Sequence, residues 1–297
     1  MAIIMGDNQY GKAENRVVRI YRDTARHEIR DLNVSTSLRG PFGPAHISGD
    51  NSQLLTTDAQ KNTAFAFAKL HGVGAIEDYA LTLARHFVTD VDPVEGARIE
   101  VEEYAWDRVT IDGTEHDHTW TRRGPEIRTA AITVDGSGEY VIGGIKDLVI
   151  LKSTGSEFHD FLTEEYTTLP ETTDRVMATS LVAKWRFGSV PDDWDATYAT
   201  VKAILVREFA TLQSLSLQQT LWAMGSAVLE EVPSIVEIRL SAPNKHHFTV
   251  DLSPFGLENP NEVFIAADRP YGLIQATVTR DDAPAAGDAW RSAAGLA

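Results

Sequence analysis

The sequence contains no cysteine among its 297 residues. This absence excludes disulfide bonds, thiolate nucleophiles, iron–sulfur clusters and cysteine-based zinc sites together. No apolar run approaches the roughly 18 residues that a membrane-spanning helix needs. The first residues, MAIIMGDNQYGKAENR, lack the apolar stretch of a secretory signal. We therefore expect an intracellular protein whose chemistry depends on oxygen and nitrogen groups.

Positive charge is also scarce in this chain. It has 27 lysines and arginines against 43 aspartates and glutamates, a formal net charge of -16. A nucleic-acid partner requires a cationic surface to neutralise its phosphates, so the composition argues against one. A small anionic ligand is compatible with it, because a few cations that converge in one cleft dominate the local potential. With 43% hydrophobic residues, the chain can bury a substantial core.

Hydrophobic periodicity predicts the same order of strands, helices and strands in both halves of the chain. In the first half, the predicted strands cover 17–21, 29–38, 98–106, 116–122 and 128–134. One predicted helix follows Thr57-Asp58 and ends near Leu70, and the other covers 76–87. In the second half, the predicted strands cover 149–151, 179–187, 235–240, 247–252, 263–266 and 273–278, and the predicted helices cover 158–166, 198–212 and 217–228.

The two halves also share local sequence. The tripeptide Thr-Thr-Asp occurs at 56–58 and again at 172–174, and each half has a helix that runs through a proline into a strand. These patterns predict a two-copy α+β protein with helices on one face of antiparallel sheets. We place the first repeat at residues 11–140 and the second at 141–280. The tail 281–297, rich in Ala, Asp and Gly, is expected to be disordered and outside the fold.

The most informative segment runs from Leu148 to Arg175, LVILKSTGSEFHDFLTEEYTTLPETTDR. It combines the aromatic Phe158, the fixed cation Arg175 and a strand that carries Lys152. A planar guanidinium presents paired donors to neighbouring acceptors on a ring, and an aromatic side chain stacks on a flat heterocycle. The residues alone leave simpler roles open, since Arg175 could form a surface ion pair and Phe158 could belong to an apolar helix face.

Together with Gly11-Lys12 and Pro243-Asn244-Lys245-His246, this segment closely resembles the signature of urate oxidases. The resemblance extends from Gly11 to Val278 and implies the tunnelling fold (T-fold). In that fold two subunits close their sheets into an intersubunit β-barrel, and two barrels stack into a homotetramer with active sites shared between subunits. It implies oxidation of urate by dioxygen and water to 5-hydroxyisourate and hydrogen peroxide, with no cofactor. The C-terminal residues lack a peroxisomal address, so we expect a cytoplasmic location.

The resemblance also implies which residues bind urate. Arg175 would clamp the ring, Phe158 would stack on it, and Gln218 would bond the edge beside the arginine. The adjacent Gln219 leaves a slip of one residue open. The other implied contacts are the Thr57 side chain, the Asp58 backbone N–H at a helix start, Leu169 and Leu217 as cavity walls, a backbone contact from Leu217, and Asn244 beside dioxygen and water.

Lys12, Thr57 and His246 resemble the proton relay of this family. A hydroxyl is a poor base at neutral pH, so a neighbouring lysine that can lose its proton is a suitable group to activate it. The residues alone also permit a solvated lysine at Lys12 and a helix N-cap at Thr57.

Two motifs point elsewhere and are weak. His116 and His118 share a strand face and could chelate a metal, but no third ligand is evident, so we predict no metal site. Gly136-Ser137-Gly138 precedes a strand and therefore predicts a hairpin turn instead of a dinucleotide loop. The alternative functions are a pterin- or purine-handling tunnelling-fold hydrolase or lyase, and a non-catalytic purine-binding tetramer.

Overall fold

A computed structural model describes residues 2–291 of the chain. This part divides into two compact units. The first unit contains residues 2–144, 186–195 and 284–291, and the second contains residues 145–185 and 196–283. Within the described residues, no helix is both long enough and apolar enough to cross a membrane.

The first unit is an antiparallel sheet with helices packed against it. Its strands lie in the order β1-β2-β3-β4-β5, and α3 packs on β3 and β4. Side chains that alternate along β2 and β3 join the apolar face of α3 to form the core, in which Leu32, Ile99 and Leu83 are fully buried. The bounds are β1 Asn15–Tyr21, β2 Glu28–Arg39, α1 Gly43–Ile47, α2 Thr57–Leu70, α3 Ile76–Asp90, β3 Gly96–Ile111, β4 Thr114–Asp135 and β5 Gly138–Lys152.

The second unit repeats this arrangement. Its strands lie in the order β5-β6-β7-β10, and α5 packs on β7 and β10. The approach is closest at Gly225, where an added Cβ would lie 2.4 Å from Cγ2 of Val278, so only glycine fits there. The bounds are β6 Met177–Phe187, α4 Trp194–Thr211, α5 Leu217–Glu231, β7 Ile235–Asn244, β8 His247–Thr249, β9 Phe264–Ala266 and β10 Gly272–Thr279.

The predicted α+β class is confirmed, and one predicted helix is wrong. Residues 158–166 form no helix. The Phe158 N–H donates to the Thr172 carbonyl at 2.8 Å and the Thr172 N–H donates to the Phe158 carbonyl at 2.9 Å, which holds this backbone extended. Asp160 then adopts a φ of 56°, outside the helical region. The repeat boundaries at 140 and 280 stay a prediction, as does barrel closure between subunits.

The segment after residue 283 differs from the expected tail. Ala289 is only 1% exposed and packs with Ala131 and Ile142 in the first unit. Nη1 of Arg98 donates to the Ala289 carbonyl at 2.9 Å. The site accepts a small side chain such as alanine. A segment rich in Ala, Asp and Gly can therefore pack against the first unit, although this composition is typical of disordered segments. The rest of the predicted tail, residues 292–297, lies outside the described residues.

A buried charge cluster joins the helices and strands of the first unit. Arg128 pairs with Glu77 at 2.7 Å and with Asp195 at 2.5 Å, and Arg30 pairs with Glu103 at 2.7 Å. Three carboxylates therefore face two guanidinium groups. Burial raises the pKa of Glu77 to about 7, although the charge of Arg128 opposes this shift. The excess carboxylate in a desolvated cluster explains why a proton is held there.

This cluster predicts a pH-dependent effect of Glu77→Gln. The folded-state pKa of Glu77 is raised, so its contribution to stability is complete below its unfolded pKa of about 4.5 and is lost as pH rises to about 7. Glutamine does not ionise and should avoid this loss. Between pH 5 and pH 8, the free energy of unfolding of the variant should rise relative to the parent by about 2–3 kcal/mol. Urea unfolding at both pH values measures the difference, and a difference independent of pH would contradict this assignment.

Candidate active site

A cavity of about 270 Å³ lies in the second unit. The loop after β5 forms one wall, and the segment that joins β7 to β8 and β9 forms the other. The cavity brings together five residues predicted from the sequence: Phe158, Leu169, Arg175, Asn244 and His246. Its size suits a small ligand, and its lining combines aromatic rings with a few polar groups.

Arg175 is the cation of this cavity. Its guanidinium carbon lies 5.0 Å from the centroid of the Phe158 ring, and its Nε donates to Oγ of Ser156 at 3.1 Å. Burial lowers the pKa of Arg175 from its ordinary value. Ser156 is fully buried, and its carbonyl also accepts the Arg175 N–H at 2.9 Å. One edge of the guanidinium is therefore fixed by the protein.

In the part of the chain that the structure describes, the other edge of the guanidinium has no protein partner. Among residues 2–291, no carboxylate forms an ion pair with Arg175. Asp174 accepts instead from Oγ1 of Thr154 at 2.8 Å, and Glu171 accepts from the Asp160 N–H at 2.8 Å. The surface ion pair that the sequence left open is therefore not formed. A desolvated cation with free donors favours an anionic ligand with adjacent acceptors.

The opposite wall carries Asn244 and His246. Asn244 is the last residue of β7 and pairs with Gly272, and both Asn244 and His246 line the cavity. The His246 ring stacks on Phe248 with centroids 5.6 Å apart and an interplanar angle of 21°. The Lys245 N–H between them donates to the Ala178 carbonyl, and Lys245 does not line the cavity.

The start of α5 distinguishes the two glutamines. Ser216 caps the helix by accepting from the Gln219 N–H at 3.1 Å, and Oε1 of Gln219 accepts from the Leu215 N–H at 2.8 Å. The Gln219 side chain is thus part of the cap. Gln218 is exposed, and its amide bonds to no residue in the described chain. Leu217 is 2% exposed and does not line this cavity, so its role as a cavity wall stays a prediction.

Lys12, Thr57 and Asp58 all lie in the first unit. The Thr36 N–H donates to the Lys12 carbonyl at 2.8 Å. Asp58 pairs with Lys61, which is the main cause of its lowered pKa, and the charge of Lys12 contributes. Thr56, not Thr57, caps α2, because its side chain accepts from the Ala59 N–H at 3.1 Å.

The Thr57 hydroxyl is therefore not used by the helix cap. Thr57 is the first residue of α2, and within residues 2–291 its side chain makes no hydrogen bond to protein. It is free to bond to a ligand or to a neighbouring base.

Comparison with known proteins identifies the family. The family profile described as Uricase matches residues 8–133 and 141–275. The uricase of Arthrobacter globiformis is 51% identical over 294 residues, which cover 99% of this chain and 96% of that protein. The uricase of Dictyostelium discoideum is 35% identical over 278 residues, which cover 92% of this chain and 96% of that protein. The chain belongs to the uricase family.

Solved structures agree with this assignment. The crystal structure of Arthrobacter globiformis uricase has a TM-score of 0.92 at 52% identity and covers 96% of this chain and 98% of that one. A uricase from Bacillus fastidious has a TM-score of 0.81 at 25% identity and covers 93% and 94% of the two chains. The predicted tunnelling fold and the predicted urate oxidase activity are thereby confirmed. This family member is an oxidoreductase that acts on urate.

Buried serines behind the urate oxidase cavity were not predicted. Ser156 and Ser214 are both fully buried. Their two segments are joined by a backbone hydrogen bond, in which the Glu157 N–H donates to the Ser214 carbonyl at 2.7 Å. Oγ of Ser214 donates to the Ser216 carbonyl at 2.8 Å. Hydrogen bonds therefore connect the support of Arg175 to the start of α5. Small serines carry no periodic signal, so the sequence offered no way to find them.

Three other features of the sequence lie outside the cavity. Nζ of Lys152 donates to the Leu212 carbonyl at 2.7 Å instead of facing the cavity. The rings of His116 and His118 are 4.5 Å apart, but the described residues contain no group of three ligands that could hold a metal. The Ser137 N–H donates to Oδ1 of Asp135 at 2.9 Å in the turn between β4 and β5.

Because Gln218 and Gln219 lie in different environments, we expect alanine substitutions at the two positions to have different effects. If Gln218 bonds the edge of urate as the sequence predicts, Gln218→Ala should raise KM for urate by about 5- to 30-fold, because it removes one hydrogen bond to an anionic ring. Gln219→Ala should keep KM and lower stability by about 0.5–1 kcal/mol, because it removes part of the α5 cap. Steady-state kinetics and thermal unfolding of both variants test the assignment. A raised KM in Gln219→Ala alone would show that the register is shifted by one residue.

Proposed function

We propose that this urate oxidase holds urate with the second unit of one chain, removes a proton from it with the first unit of a neighbouring chain, and uses no cofactor. The observation that carries the proposal is the desolvated Arg175 guanidinium beside Phe158, in a cavity that also contains Asn244 and His246. Its outer donors have no partner among the described residues. A flat anion with adjacent acceptors is the ligand that this arrangement suits.

The binding residues have separate roles in the proposal. Arg175 and Gln218 hold one edge of urate, and Phe158 stacks on its face. Asn244 seats dioxygen and water above the ring, and Leu169 closes one side. From the neighbouring chain, the Asp58 N–H at the start of α2 meets an anionic ring atom. The backbone of Leu217 makes a further contact.

The chemical step depends on urate becoming electron-rich when it loses a proton. Lys12 and Thr57 accept a proton from the bound ring, and His246 passes protons onward. The resulting dianion is electron-rich enough to reduce dioxygen to peroxide, and water adds to the oxidised ring to give 5-hydroxyisourate. Hydrogen-bond donors that are already directed at the developing negative charge supply the largest part of such catalysis.

The shared site requires an oligomer, and we propose the homotetramer of the tunnelling-fold family. Two observations support this choice. The cavity lining runs from Ser153 to Phe264 and contains only second-unit residues. Lys12 and Thr57 both belong to the first unit, where the charge of Lys12 acts on Asp58, the residue that follows Thr57. The intersubunit barrel, the repeat boundaries at 11–140 and 141–280, and a cytoplasmic location belong to the same proposal.

Parallel assays of urate, dioxygen and peroxide test the proposed reaction. We expect equimolar loss of urate, uptake of dioxygen and formation of peroxide, unchanged after treatment with a chelator. Activity that disappears with the chelator and returns with a metal would contradict cofactor-free oxidation. Loss of urate without uptake of dioxygen would instead favour a hydrolase or lyase.

A further inference from the structure

A ring of hydrogen bonds joins the segment that contains Lys12 to the turn that contains Thr57. The Lys12 N–H donates to Oγ1 of Thr36 at 3.1 Å, and this hydroxyl donates to Oε1 of Gln60 at 2.7 Å. Nε2 of Gln60 then donates to the Leu55 carbonyl at 3.4 Å. The Tyr10 hydroxyl closes the ring by donating to the same carbonyl at 2.9 Å.

Every group in this ring has a defined hydrogen-bonding direction. The Thr36 hydroxyl has one proton, which it gives to Gln60, so it must accept from Lys12. The amide of Gln60 uses its oxygen toward Thr36 and its nitrogen toward Leu55. Gln60 is 0% exposed and Thr36 is 6% exposed, so water cannot easily replace a lost partner.

Glycine at position 11 lets the two segments approach this closely. A Cβ at Gly11 would lie 1.8 Å from the Thr36 carbonyl oxygen. Tyr10 pairs with Leu38 on the same strand, with the Leu38 N–H donating to the Tyr10 carbonyl at 2.8 Å. The backbone on both sides of Lys12 is thus attached to β2, and the Thr36 side chain connects it to α2.

We propose that Thr36 and Gln60 are positioning residues that set the distance between Lys12 and Thr57 for proton transfer. The inference rests on the proposed relay, in which these two groups must come within hydrogen-bond reach. Gln60 lies one helical turn after Thr57, so a shift at Gln60 moves the first turn of α2. Neither Thr36 nor Gln60 is assigned any contact with urate.

Thr36→Val is the decisive variant, because valine keeps the shape and removes the hydroxyl. We expect kcat to fall about 10- to 100-fold, since a misplacement near 1 Å costs about that much. KM for urate should stay within about twofold, because Arg175 and Phe158, the main binding groups, are unchanged. Thr36→Ser restores the hydroxyl and should recover kcat to within about threefold of the parent.

Tyr79→Phe is the matched control for a stability effect. The Tyr79 hydroxyl donates to the Ala64 carbonyl on α2 at 2.7 Å and is buried, but it is not part of the ring. This variant should lower the thermal midpoint while kcat stays within about twofold. If Thr36→Val lowers only the midpoint, as this control does, the inference is wrong. Should Thr36→Val not fold, Tyr10→Phe removes one bond of the ring, and kcat should fall about 3- to 10-fold.

A double-mutant cycle with Lys12→Met separates this inference from the proposed function. If Thr36 acts through Lys12, Thr36→Val should cause no further loss of kcat in the Lys12→Met background. Additive losses would contradict the positioning role. Full activity of Lys12→Met would instead contradict the relay itself. An inactive Lys12→Met together with a fully active Thr36→Val would overturn only the positioning role.

Discussion

Arg175→Ala is expected to lower kcat/KM for urate by about 10²- to 10⁴-fold, mainly through a higher KM. In the proposed site the guanidinium supplies two charge-assisted hydrogen bonds to urate, each worth about 1.5–3 kcal/mol. Steady-state kinetics and equilibrium binding of urate measure the loss. Arg175→Lys keeps the charge without the planar pair of donors, so it should recover only part of the affinity.

Arg175→Ala should be at least as stable as the parent protein. Arg175 is a desolvated cation without an ion pair in the described chain, and burial lowers its pKa, so its removal relieves an unfavourable charge. The thermal midpoint should stay constant or rise. Arg269→Ala is the matched control, because Arg269 is 82% exposed in the same unit, and KM should stay within about twofold. A parental KM in Arg175→Ala would contradict the assigned role.

Lys12→Met is expected to lower kcat by about 10²- to 10⁴-fold, the usual contribution of a positioned base. Urate binding should be largely kept, because Arg175 and Phe158 are unchanged. A higher pH should restore part of the rate, since hydroxide can then remove the proton. Single-turnover measurements of urate oxidation over a range of pH test both points.

Lys69→Met is the matched control for this variant. Lys69 is exposed near the end of α2 in the same unit, so its loss should leave kcat within about twofold. If Lys12→Met and Lys69→Met are equally active, Lys12 has no part in proton transfer.

Hydrophobic periodicity predicted the long helices well. It failed where hydrogen bonds between residues far apart in sequence determine the backbone conformation. The helix predicted to follow Thr57-Asp58 and to end near Leu70 lies within α2, and that over 76–87 lies within α3. Phe158, Phe161 and Leu162 have helical spacing, yet the pairing of Phe158 with Thr172 keeps their loop extended. The spacing instead brings the Phe158 and Phe161 rings together, with centroids 5.0 Å apart.

The sequence motif indicated those cavity residues whose types it specifies. Phe158, Arg175, Asn244 and His246 are found in one cavity, as the resemblance implies. The supporting polar residues were not predictable. Thr36 and Gln60 are 24 residues apart, and nothing local to either one indicates a bond between them.

Partition of the site between two chains is tested most directly by mixing two inactive variants. Each chain of Lys12→Met keeps an intact urate cavity, and each chain of Arg175→Ala keeps an intact relay. In a two-fold pair of unlike chains, one site would combine the two intact halves. Co-refolded equimolar variants should therefore regain about a quarter of the parental turnover. Activity no greater than the sum of the two separate variants would contradict a site built by two chains.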